Sequence, residues 1–405
     1  AVANPAALSL ATLNGTNGFR LVGATYNDAA GEAVSGGDFN GDGYADVIIG
    51  APGVDGDVEF ETGAAYVVFG APSFPARVNL AALNGNNGLR LTGIAEDDGA
   101  GTSVNSAGDV NGDGYDDIII GAPNATVSGK AATGQAYVVL GNNAFPPQFD
   151  LADLDGDNGF QIQGVAAESY AGNAVGGAGD MNGDGYDDVF VAAWKTSRSG
   201  SNESGAVYVI YGATTYPAQL ALNTLNGDNG FRLDGTSVGD RAGSAVAPAG
   251  DVNGDGWADL VIGAPFADSL RGITYVVLGA NDFPPALALA SLNGSNGFRL
   301  VSNHNNGTAG MAVGAADING DGLDDVLVGA PGAGEGFQRF AGRTFAVFGR
   351  SVFNAEVNLS ALVPTTGVQF DGEASGDQSG QVMSLAGDLN GDGYDEIIIA
   401  APGGV

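Results

Sequence analysis

The chain has 405 residues, no cysteine, and 47 acidic against 13 basic side chains, for a formal net charge of −34. That balance excludes a nucleic-acid binder working through a basic surface, and the lack of thiols excludes disulfides, thiolate metal sites and cysteine nucleophiles. No apolar run reaches the roughly 18 residues of a membrane-spanning helix, so no direct membrane insertion is expected.

Taken in chain order, the first strand signal is residues 17–21, which alternate apolar and polar as an outer strand does. A small-residue segment at 30–35 follows and suits a strand near a crowded central axis. Next comes Asp38-Phe39-Asn40-Gly41-Asp42-Gly43-Tyr44-Ala45-Asp46, which reads D-x-N-G-D-G-x-x-D. The run after it, 47–52, is apolar at every position, so it is expected to be buried on both faces. A third apolar strand is predicted at 65–70, and the segment 78–85 is predicted as a helical turn or a snug loop before the outer strand returns at 87–91.

The same order recurs. The nine-residue loop begins again at Asp109, Asp180, Asp251, Asp317 and Asp388, with successive starts 71, 71, 71, 66 and 71 residues apart. Four short strands per repeat, without a long helical period, predict an all-β fold, a β-propeller of four-stranded blades with six repeats in this chain.

The loop has the chemistry of a hard-cation site. Calcium takes six to eight oxygen ligands from carboxylates, amides, backbone carbonyls and water. In the first loop Asp38, Asn40 and Asp42 present side-chain oxygens at positions one, three and five, Tyr44 offers its carbonyl at position seven, and Asp46 closes the shell at position nine. The corresponding residues are Asp109, Asn111, Asp113, Tyr115 and Asp117; then Asp180, Asn182, Asp184, Tyr186 and Asp188; then Asp251, Asn253, Asp255, Trp257 and Asp259. The fifth set is Asp317, Asn319, Asp321, Leu323 and Asp325, and the sixth is Asp388, Asn390, Asp392, Tyr394 and Glu396, where Glu stands at position nine. About six Ca²⁺ ions are therefore expected. A plain turn does not need an acid at position nine each time. An EF-hand needs Glu at position twelve, where this chain has Ile49, Ile120, Val191, Ile262, Val328 and Ile399.

The loop, the strand after it and the Gly-Ala-Pro that ends the strand resemble the FG-GAP repeat of the integrin α-subunit propeller and its bacterial relatives. Gly-Ala-Pro is intact in repeats one, two, four and five, but is Ala192-Ala193-Trp194 in the third and Ala400-Ala401-Pro402 in the sixth; the "FG" half is Ala-Gly here. The resemblance implies Ca²⁺ in loops on one face and a ligand gripped by loops on the opposite face. It allows a second architecture, a fragment of a seven-bladed ring. The reading adopted is one domain over 1–405, its last blade closed by the N-terminal strand.

The connections from second to third strand vary most between repeats. They hold or adjoin Trp194, Lys195, Arg198, Arg271, Phe337, Arg339 and Phe340, aromatic and cationic residues in a very acidic chain. Such residues suit a protein or polysaccharide partner. The single histidine, His304, is expected at the surface and permits neither a triad nor a zinc site. Outside the loops, Asp98, Glu203 and Asp240 form no recognisable carboxylate pair. The expectation is a non-enzymatic, Ca²⁺-binding adhesion module, part of a larger secreted or surface protein, and the lack of cysteine fits a bacterial exported one. The alternatives are a glycan-hydrolysing propeller and a structural spacer.

Overall fold

The computed structural model describes residues 9–55, 62–197, 202–334 and 339–404. Arg198 and Phe337 lie outside the described residues.

A short strand β1 (Arg20–Val22) comes first. The first repeat runs β2 (Val34–Gly37), β3 (Asp46–Ala51), β4 (Ala64–Val68), β5 (Arg77–Asn79) and β6 (Gly88–Thr92). The second runs β7 (Ser103–Gly108), β8 (Asp117–Ala122), β9 (Gln135–Val139), β10 (Gln148–Asp150) and β11 (Gly159–Gln163). The third runs β12 (Ala174–Gly179), β13 (Asp188–Ala193), β14 (Ala206–Ile210), β15 (Gln219–Ala221) and β16 (Gly230–Asp234). The fourth runs β17 (Ala245–Gly250), β18 (Asp259–Ala264), β19 (Ile273–Val277), β20 (Ala286–Ala288) and β21 (Gly297–Val301). The fifth runs β22 (Ala312–Ala316), β23 (Asp325–Ala330), β24 (Arg343–Val347), β25 (Glu356–Asn358) and β26 (Gly367–Asp371), and the sixth has β27 (Val382–Gly387) and β28 (Glu396–Ala400).

Within a repeat, four strands form an antiparallel meander, as in β2-β3-β4-β6. This is the all-β propeller expected, with five four-stranded blades and a two-stranded sixth among the described residues. The second strands are apolar on both faces because the cores lie between blades. Ile48, Val67 and Leu91 of the first blade pack in one cluster with Val104, Ile118 and Tyr137 of the second. Each such aliphatic side chain contributes about 1.5–3 kcal/mol through burial.

The segment at 78–85 holds more than was expected. It does contain a 3-10 turn, Leu80–Ala82. Before the turn, β5 pairs in parallel with β1, and β10, β15, β20 and β25 pair likewise with β6, β11, β16 and β21 of the preceding blade. The second to fifth repeats therefore each lend their predecessor a fifth strand, and the first lends a partner to β1. Stacked rings reinforce the join: Phe231 on Phe283 and Phe298 on Phe353, at 4.0 and 3.9 Å between centroids.

The expected closure of the last blade by the N-terminal strand is not what the sheet order shows. Among the described residues β1 pairs only with β5, and β28 pairs only with β27. An outer strand joins a third strand in every complete blade, and the described part of the sixth blade has no third strand for β1 to join.

Candidate metal centre

Each oxygen-rich loop joins the first strand of a blade to the second. In the second repeat a bulge at the end of β7 places Gly108 at φ +75°, where a side chain is disfavoured, and turns the chain into the loop. The loop then folds on its own acids. Asp109 accepts N–H bonds from Gly112 and Asp113 on one oxygen, at 2.7 and 3.0 Å, and from Gly114 on the other, at 2.9 Å. The Asn111 carbonyl oxygen accepts from Asp113 N–H at 3.0 Å, and its amide donates to the Asp113 carboxylate at 2.9 Å. Asp113 in turn accepts from Tyr115 N–H at 3.1 Å.

Position nine reaches further. One Asp117 oxygen accepts from Val110 N–H at 2.9 Å and the other from Gly141 N–H at 2.7 Å, so this side chain ties the loop to the far end of β9. Asp46, Asp188, Asp259 and Asp325 do the same with Gly70, Gly212, Gly279 and Gly349. All five carboxylates are buried. Burial pushes Asp46 up to about 6, Asp117, Asp259 and Asp325 to about 7 and Asp188 to about 8. The charged side chains that raise the Asp188 value further, Asp184 and Asp180, are both negative.

This donor set fits a hard divalent cation. It is oxygen only, and a carboxylate oxygen with one N–H bond keeps a second lone pair for a metal. Among the described residues no three acidic or histidine side chains gather closely enough to cage an ion by themselves. Any ion here would also need the position-three amide oxygen, the position-seven carbonyl and water. The last two loops depart from the pattern. Asn319 donates to Asp325 rather than to position five, and Glu396, with its extra methylene, accepts from both Leu389 N–H and the Asn390 amide.

Two positions escaped the sequence reading. The position-seven side chain packs over position four of the preceding loop: Tyr115 against Gly41, Tyr186 against Gly112, Trp257 against Gly183, Leu323 against Gly254 and Tyr394 against Gly320. A Cβ on Gly41 would lie 2.5 Å from the Tyr115 ring. Position eight is Asp in four of the six loops. Asp187 accepts from Asp109 N–H at 2.9 Å, across 78 residues. The recurrence of Asp was the signal, but its partner lies in another repeat.

At the opposite end of the blades the candidate ligand residues fall into two groups. Lys195 Nζ stands 5.1 Å from the centre of the Tyr170 ring, and Arg241 lies between Trp194 and Phe266, at 4.7 and 4.9 Å. Arg241 is also paired with Glu203 at 2.8 Å. Tyr170 and Arg241 come from the connections that enter the first strands of the third and fourth blades, not from the connections between second and third strands. Separately, Arg271 donates to Asn305 at 3.1 Å, and Arg339 and Phe340 line a cavity of about 350 Å³ with Asn305 and Asn306. His304 is half-buried against Arg343 and not a free surface residue.

The FG-GAP repeat matches residues 30–68, 100–139, 171–210, 242–279, 309–346 and 379–405. The chain belongs to the FG-GAP repeat family. Its curated relatives include integrin alpha pat-2 of Caenorhabditis elegans, 30% identical over 257 residues, which are 59% of this chain and 18% of that one. Integrin alpha-V of Gallus gallus is 28% identical over 242 residues, 58% of this chain and 20% of its own length. Phosphatidylinositol-glycan-specific phospholipase D of Bos taurus is 34% identical over 169 residues, 41% of this chain and 19% of the enzyme. The FG-GAP chain thus spans about a fifth of the length of these relatives. It is integrin-alpha-like, and none of its described helices is long and apolar enough to cross a membrane.

Proposed function

We propose that this FG-GAP propeller is a calcium-binding adhesion module, secreted or displayed on a cell surface as part of a larger protein. Ca²⁺ occupies the six loops that join first to second strands. The observation that carries the calcium reading is the buried position-nine carboxylate, built five times, with acidic side chains as its nearest charges. A divalent cation at that point offsets the cost of burying the charge. The loop residues hold the ion and fix the blade edge.

A protein or polysaccharide ligand binds the opposite face, where Trp194, Lys195 and Arg241 meet Tyr170 and Phe266. Similarity to integrin alpha chains supports adhesion, and the cation–aromatic grouping supports the placement. The module is proposed to be non-enzymatic. Glu203, one of the acids free of the loops, is held by Arg241, and Asp240 accepts from Ser237 N–H within its own turn. A screen against immobilised proteins and glycans, with and without EDTA and with a parallel assay for glycan cleavage, tests the reading. Calcium-dependent capture without turnover is expected; cleavage of a captured glycan, or no calcium bound at all, overturns it.

A further inference from the structure

Neighbouring loops are joined at five junctions, and one junction differs from the rest. At all five, the position-eight N–H donates to the position-one carbonyl of the preceding loop: Asp116 to Asp38, Asp187 to Asp109, Ala258 to Asp180, Asp324 to Asp251 and Asp395 to Asp317, at 3.1–3.3 Å. At four of them the bond is returned. The Asp38, Asp109, Asp251 and Asp317 N–H groups donate to the carboxylates of Asp116, Asp187, Asp324 and Asp395, at 2.7, 2.9, 3.1 and 3.3 Å. At the junction of the third and fourth loops, position eight is Ala258, and there is no carboxylate for the Asp180 N–H. The Ala258 methyl sits against Gly179 much as the Asp187 side chain sits against Gly108, so the backbone there is placed as elsewhere.

Position eight stands between two ligand positions of its own loop, the position-seven carbonyl and the position-nine carboxylate. Position one supplies the first ligand of the loop before it. Closing one loop on an ion therefore fixes the acceptor that orients the first ligand of its predecessor. An N–H bond to a carboxylate is about twice as strong as a neutral one, and coupling between two binding sites acts equally in both directions. The backbone bond and a position-seven contact exist at every junction, with Trp257 in that contact at the third-to-fourth junction and Leu323 at the next, so the charged link is what the third-to-fourth junction lacks.

We propose that the position-eight aspartates couple calcium occupancy between adjacent loops, joining loops one to three and loops four to six into two blocks with a break between the third and fourth. This rests on the calcium reading above.

The test is hydrogen exchange on the full chain, with saturating Ca²⁺ and without it, read loop by loop. Asp184→Ala disables the third loop. The calcium-dependent protection of the second loop is expected to fall at least about fivefold, while the fourth loop keeps its own. Asp255→Ala, which disables the fourth loop, is expected to leave the third unchanged; adding Ala258→Asp is expected to carry the loss across. Should that double variant misfold, Asp187→Ala serves instead, and with it the effect of Asp184→Ala no longer reaches the second loop. If calcium protects no loop of the unaltered chain, both the calcium reading and the coupling fall. If calcium protects the loops but the second and fourth respond alike to Asp184→Ala, the coupling alone falls.

Discussion

At one end of the blades Asp109, Asn111 and Asp113 turn their oxygens onto N–H groups of their own loop, and the same bonds recur repeat after repeat. At the other end Trp194, Arg241 and Phe266 come from three separate connections and meet only because the third and fourth blades are neighbours. The first end concentrates like charge, which the proposed calcium ions would offset. The second end neutralises itself, as Arg241 does with Glu203. Structural change on removing metal should therefore come from the first end, and partner choice from the second.

The largest effect expected is that of metal removal. A ligand that binds only the folded state stabilises by about 2.7 kcal/mol per site at a hundredfold excess over Kd. Melting curves in Ca²⁺, Mg²⁺ and EDTA should separate widely, with Mg²⁺ far nearer to EDTA than to Ca²⁺, because magnesium demands tighter octahedral geometry and gives up water reluctantly. Three coincident curves would remove the distinction between the two ends.

Next in size is Asp117→Ala. It leaves Val110 N–H and Gly141 N–H without their acceptor in a buried place. At about 1–3 kcal/mol for each orphaned group, a loss of roughly 2–6 kcal/mol is expected in chemical denaturation. A loss below 1 kcal/mol would show that position nine does not pin the loop to the blade.

A smaller effect separates the ends by pH. Burial, and then the neighbouring acids, raise the folded-state values of Asp46, Asp117, Asp188, Asp259 and Asp325 above their ordinary 3.8 to about 6–8. For a raised group the contribution to stability is complete below the ordinary value and is lost as pH rises through the folded one. Protein dialysed free of metal should melt higher at pH 5 than at pH 8. With Ca²⁺ the order should reverse, since protons and the ion compete for the same oxygens. A metal-free protein that melts higher at pH 8 would contradict the burial of these charges.

The smallest effect on stability belongs to the other end. Trp194→Ala with Lys195→Ala should leave the Ca²⁺-bound Tm within about 2 °C, as expected for half-exposed residues outside the core. Affinity for a verified ligand should drop by about 2 kcal/mol, near thirtyfold. Unchanged affinity would move the binding surface elsewhere, with the cavity at Arg339 and Phe340 as the next place to look.

By itself the sequence determined whatever repeats and is local. The unbroken apolar runs marked β8 and its counterparts, because a strand covered on both faces has no polar side to show. The loop was legible because positions one, three and five bond to N–H groups within five residues. Tertiary structure decided what joins one repeat to another. The parallel strand β5 is three residues long and carries no periodicity. Asp187 meets a partner 78 residues away, and Asp117 meets one 24 residues away. Arg241 reaches Trp194 only across a blade boundary. Local pattern reports which side of an element is buried; the identity of the group it is buried against depends on how blades stack, and no single repeat contains that information.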